Sequence, residues 1–138
     1  MDPDLVLRKA ARAGVWLDDL ERRVAADPGA TNGDGADLVA FHLQLAVQEC
    51  IDLAAHWVAT ERWPPPDNSA SAFTMLAEKG MIPPDTAAFM RGAVGLRNRI
   101  AHGYASVDKF RLFAECQSGL PEIRRFLLAC ATACTTPG

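Results

Sequence analysis

The sequence predicts an all-α protein, an antiparallel bundle of four main helices and one short one. Three observations predict it. Apolar residues recur at steps of three and four through most of the chain. No stretch alternates with period two for long enough to form a strand. Clusters of Pro, Gly, Asn and Asp cut the helical stretches into separate rods. At 138 residues there is room for one domain with a real core, but not comfortably for two.

The first helix is expected over residues 4–26, where Val6, Ala10, Ala13, Leu17, Leu20 and Val24 form a continuous apolar stripe and the charged residues lie off it. The run from Asp27 to Gly35 is dense in turn formers and reads as a flexible loop. Its glycines fit no phosphate-cradling motif, because no Gly-Lys-Ser/Thr ending follows. A second helix over 36–62, with Asp37 as its cap, carries the seam Val39, Leu43, Ala46, Cys50, Leu53, Trp57. A parallel series on this helix reads His42, Leu45, Glu49, Asp52, His56. Two histidines and two carboxylates beside a core seam allow two readings: an ion-paired face, or a stripe that orients reactive groups elsewhere in the bundle.

Pro64, Pro65 and Pro66 end that helix. A short helix over 69–79 opens at Ser69 and is closed by Gly80 as a left-handed cap. The next helix, 85–101, turns Phe89, Ala93, Leu96 and Ile100 inward. The last, 107–134, has Ser106 as a plausible cap and Asp108 in its first turn, and buries Phe110, Phe113, Leu120, Ile123, Leu127 and Ala131. Gly119 and Pro121 should kink or divide it, and residues 135–138 form a tail.

The formal net charge is −3, so the chain as a whole does not attract nucleic acid, and any such contact must be local. Arg91, Arg97 and Arg99, with Lys109 and Arg111, supply that locality. The start lacks the basic-then-apolar order of a secretion signal and no apolar run approaches a membrane span, so a soluble cytoplasmic protein is expected. Cys50, Cys116, Cys130 and Cys134 have no metal-ligand spacing and read as small buried hydrophobes.

The reactive residues concentrate in Arg97-Asn98-Arg99-Ile100-Ala101-His102-Gly103-Tyr104, which holds the chain's only tyrosine. An arginine grips phosphate through paired N–H donors, and a histidine exchanges protons near neutral pH. On one helix, Arg97 and His102 point roughly 140° apart, so a single copy closes a site poorly. Either the helix unwinds before Gly103, or the arginine of one subunit meets the histidine of another across a two-fold axis.

The pattern Arg97-Asn98-x-x-x-His102-x-Tyr104 resembles the signature of the HEPN superfamily, specifically its HepT-type toxins, and the resemblance extends from about Phe41 to Phe126. It implies a dimeric, all-helical, metal-independent endoribonuclease with no cofactor, in which Arg97 and His102 act across the dimer. It also implies a partner, an MntA-like nucleotidyltransferase antitoxin, that silences the enzyme by attaching AMP to Tyr104. The residues fit that chemistry. His102 would exchange protons with the RNA 2′-hydroxyl or the departing 5′-oxygen, Arg97 would stabilise phosphate charge, and Asn98 would orient the histidine or a phosphate oxygen. DNA, without the 2′-hydroxyl, would resist. Transfer RNA is one substrate that the resemblance suggests. Glu49, Asp52 and His56, with Arg99, are the candidate supporting residues. The alternative is a non-catalytic helical subunit that binds substrate for a nucleotidyltransferase, which would not need an intact Arg/His pair.

Overall fold

The computed structural model describes residues 1–135 and is all-helical, with no strand among them. Helix α1 spans Pro3–Ala26, α2 Gly33–Thr60, α3 Ser69–Glu78, α4 Pro84–Gly103 and α5 Lys109–Thr135, with a 3-10 turn at Tyr104–Ser106 between the last two. Of the expected tail, Thr135 closes α5, and residues 136–138 lie outside the described residues.

Helix α2 is the central rod, and it packs against each of the other four helices. Its seam of Val39, Leu43, Ala46, Cys50, Leu53 and Trp57 is buried throughout, and Val47, Ala54 and Val58 widen it. By length and composition alone α2 could cross a membrane, contrary to the reading that no apolar run comes close. In the bundle more than half of its most apolar window is instead buried against other helices. The α1 stripe lies on α2 and α5 as its periodicity requires, with Val6, Ala13, Leu17 and Leu20 fully buried. Phe73 of α3 meets Phe126 of α5 edge-on, ring centroids 5.1 Å apart, in the geometry that aligns one ring's positive edge with the other's negative face.

Several boundaries differ from expectation for identifiable reasons. Helix α2 begins at Gly33 because the Asn32 side chain accepts from the Gly35 N–H, 3.1 Å away, and supplies the cap that was assigned to Asp37. Gly33 and Gly35 are therefore first-turn helical residues, and Asp37 is left free for other work. Helix α3 opens at Ser69 as expected, with Asn68 as its cap, and Gly80 takes the left-handed φ of 75° expected of it. Asp108 rather than Ser106 caps α5, its carboxylate accepting from the Arg111 N–H. Of the expected kink or division of α5, the division is absent, since the helix runs through Pro121 as one element. Gly119 has a packing role instead: a Cβ there would stand 2.1 Å from the Phe89 ring. Phe110, assigned to the core, is 64% exposed.

Cys50, Cys116 and Cys130 are buried and unpaired, and burial pushes the Cys116 and Cys130 thiols up to about 12. They are packing residues, as their spacing suggested.

Candidate active site

The reactive residues stand at the C-terminal end of α4. Pro84 at the first helical position and Asp85 in the first turn start this helix, and Met90, Ala93, Val94, Leu96 and Ile100 anchor it to the core. The anchor fixes which residues face outward: Asn98, Arg99 and His102 are exposed, and Arg97 is half-buried on the flank. The helix does not unwind early, because α4 continues through Gly103. His102 thus remains five helical positions from Arg97, about 7.5 Å along the axis and roughly 140° around it. The two side chains diverge within one chain.

Arg97 faces a cleft of about 420 Å³, whose lining includes Arg91, Asn98 and the Asn68–Ser69–Ala70 start of α3. Arg91 is steadied there by a hydrogen bond from its Nη1 to Thr74 Oγ1, 3.1 Å. The Nε of Arg97 is buried and has no partner among the described residues. An unsatisfied buried donor costs on the order of 1–3 kcal/mol, and it leaves hydrogen-bonding capacity for an incoming anion. Two guanidinium groups beside a helix N-terminus make the cleft suited to phosphate. Arg99 points elsewhere, into a separate cleft with Asp108, Arg111 and Glu115.

Beyond His102 the backbone leaves the helix at Gly103, with φ −164° and ψ 48°, and the 3-10 turn follows. The turn is held by a hydrogen bond from Ser106 Oγ to the Gly103 carbonyl, 2.7 Å. It carries Tyr104 across to the first turns of α2, where the phenol O–H donates to the Asp37 carboxylate. Lys109 completes the group, its Nζ 3.5 Å from Asp37 and 5.6 Å from the centre of the Tyr104 ring. Burial, and then the Asp37 hydrogen bond, push the Tyr104 hydroxyl up to about 12, while that hydrogen bond holds the Asp37 carboxyl below its usual value. Asp37 was missed as a functional candidate. It lies 67 residues from Tyr104, and its local sequence reads as a helix cap.

The acidic stripe of α2 does not face the motif within this chain, which corrects the reading of Glu49, Asp52 and His56 as its supports. Glu49, 7% exposed, accepts from Lys9 (3.1 Å) and Arg12 (3.5 Å), and Asp52 accepts from Lys9 (3.3 Å). His56 Nε2 accepts from the Asp2 backbone N–H, and His42 Nδ1 lies 2.7 Å from Asp19. All four residues turn toward α1, because the core seam beside them is shared with that helix. The ion-paired reading is the one realised, but between helices rather than from Asp52 to His56. Among the described residues no three His, Cys, Asp or Glu side chains converge as a metal site would require.

An all-helical chain with an exposed histidine at one helix end, an arginine on the flank of that helix facing a basic cleft and a tethered tyrosine two residues beyond the histidine fits the class of helical ribonucleases. A family model described as Ribonuclease HepT-like matches residues 17–130, and the chain belongs to that family. The mRNA nuclease HepT of Shewanella oneidensis is 29% identical over 91 residues, which cover 66% of this chain and 68% of that protein. Among solved structures, a tri-AMPylated Shewanella oneidensis HEPN toxin in complex with MNT antitoxin superposes with a TM-score of 0.85 at 23% identity, covering 94% of this chain and 97% of that one. A toxin–antitoxin structure with AMP-PNP gives a TM-score of 0.84 at 22% identity, with 91% and 96% covered.

Proposed function

We propose that this protein is the toxin of a toxin–antitoxin pair, a metal-independent endoribonuclease that acts in the cytoplasm as a dimer of antiparallel bundles. A nucleotidyltransferase antitoxin of the MntA kind silences it by transferring AMP to Tyr104. The observation that carries this reading is the intact Arg97–His102 pair in the last turns of α4 in a chain of the HepT-like family.

RNA brings its own nucleophile, so the protein has only to move protons and neutralise charge. His102, exposed and free of carboxylate partners among the described residues, takes the 2′-hydroxyl proton or returns one to the leaving 5′-oxygen. Arg97 presents donors to the phosphate oxygens as negative charge builds, and Asn98, exposed one helical turn before His102, orients phosphate or imidazole. The strand's flanking phosphate has a place in the Arg91–Arg97 cleft. Because the two catalytic side chains diverge within one α4, the working site pairs Arg97 of one subunit with His102 of its partner. The product is a 2′,3′-cyclic phosphate, and DNA is inert.

The test is cleavage in EDTA. Purified protein should cut RNA and leave cyclic phosphate ends, and Arg97→Ala and His102→Ala should each slow the cutting by at least about 100-fold. A strict requirement for a divalent ion would refute the mechanism. Cleavage undiminished in His102→Ala would leave only a binding subunit.

A further inference from the structure

The contacts of Tyr104 go beyond marking it as a modification target. Its hydroxyl is tethered to one carboxylate, Asp37 on α2, and that carboxylate is held in turn by one ammonium, Lys109 at the start of α5. The side chains of Asp37 and Lys109 are 55% and 41% exposed, so a second protein can reach the cluster. The three residues come from three separate elements, α2, the 3-10 turn and α5.

We propose that Asp37 is the catalytic base for adenylylation of Tyr104, supplied by the toxin itself, and that Lys109 is the cation that receives the new phosphodiester. The inference rests on the reading of Tyr104 as the AMP acceptor. In the step, the Tyr104 oxygen forms a bond to the α-phosphorus of ATP. The bond from that phosphorus to the bridging oxygen breaks, pyrophosphate leaves, and the phenol proton passes to Asp37. Before transfer, the Asp37 carboxylate balances Lys109; as the phenol proton passes, the single negative charge of the tyrosyl-AMP diester arises beside the same ammonium, and Asp37, more than half exposed, then releases the proton to solvent, so the modification adds one negative charge to the cluster. Without Lys109 the incoming phosphate would approach an unneutralised carboxylate, and without Asp37 the phenol would have to lose its proton to water.

The test uses full-length toxin, its nucleotidyltransferase partner and ATP, with AMP on Tyr104 followed by mass spectrometry. Asp37→Asn keeps the shape and an oxygen acceptor but cannot take the proton. Its kcat for transfer should fall about 100-fold, in the range of a lost general base, with KM for ATP unchanged. Asp37→Glu should recover part of the rate, and Lys109→Met should cost about tenfold through lost charge neutralisation. Transfer by Asp37→Asn at the wild-type rate, or a loss carried only by KM, overturns the proposal and leaves Tyr104 as the acceptor. Loss of RNA cleavage together with transfer in Asp37→Asn would make Asp37 a structural prop, and also overturns it. Wild-type protein that takes no AMP at Tyr104 removes the underlying reading as well.

Discussion

Mixing two inactive variants separates a site shared between chains from one built within a chain. Arg97 and His102 lie on one continuous helix, α4, separated by about 7.5 Å of rise and 140° of rotation, so neither rotamers nor fraying of the last turn brings them onto one phosphate. Arg97→Ala alone should lower cleavage by about 10²–10³, the loss typical of a charge-stabilising donor, and His102→Ala by about 10²–10⁴. When equal amounts are unfolded together and refolded, about half of the dimers are mixed. Each mixed dimer pairs the intact arginine of one chain with the intact histidine of the other at one of its two sites. The mixture should then cut RNA at about a quarter of the wild-type rate, at least roughly twentyfold above either variant alone. The assay is cleavage of a fluorophore-quencher RNA in EDTA, with subunit exchange confirmed by native mass spectrometry. If exchange is complete and activity stays at the single-variant level, each site belongs to one chain and the dimer argument fails.

Further outcomes follow from the contacts of Tyr104 and Glu49. Tyr104 is the chain's only tyrosine, so ultraviolet titration reads it alone, and its midpoint should lie near 12 rather than at the ordinary value of 10. Because the folded-state value is the higher one, this group's contribution to stability is complete below about pH 10 and is lost as pH rises through about 12. Asp37→Asn should lower the midpoint only partway, since burial, the larger cause, remains. Glu49→Ala should lower stability to urea by about 1–2 kcal/mol, because Lys9 keeps Asp52 and Arg12 can turn to water. Its RNA cleavage should be unchanged, and a loss of kcat without a loss of stability would restore the acidic stripe to the active site.

The helices were legible because a bundle writes its core into a period of three and four residues, and α1, α2 and α4 bury the stripes so marked. The errors fall where a residue has two possible jobs. Asp37 looks like a cap, and only the fold shows that Asn32 does the capping and frees Asp37 for Tyr104. Gly119 and Pro121 look like a break, but the glycine is there for the Phe89 ring, and α5 continues. Glu49 and Asp52 share a helix with the core seam, yet sequence periodicity gives their direction only relative to that seam. It does not say whether α1 or α4 lies on that side. The motif itself was legible because its spacing lies within one helix, whereas the partners of Tyr104 lie on other elements and leave no local trace.

A net acidic protein can still present a cationic reaction centre if its cations are distributed unevenly between structure and site. On α1 and α5, Lys9, Arg12, Arg22, Arg23, Arg124 and Arg125 are each matched to a carboxylate, and Arg124 ties α5 to Asp18 and Glu21 of α1. Among the described residues Arg97, Arg99 and His102 have no such partner. The charge of the two arginines is therefore not tied up in ion pairs near the end of α4, where an RNA phosphate gains from approaching. The same distribution would account for the proposed silencing by a modification as small as AMP. A single diester charge and a nucleoside at Tyr104 would stand two residues from His102, beside a helix end whose arginines have no carboxylate partner among the described residues. A carboxylate introduced at Tyr104 should accordingly reproduce part of the inhibition. A Tyr104→Glu variant that cuts RNA as fast as wild type would show that bulk, and not charge, does the silencing.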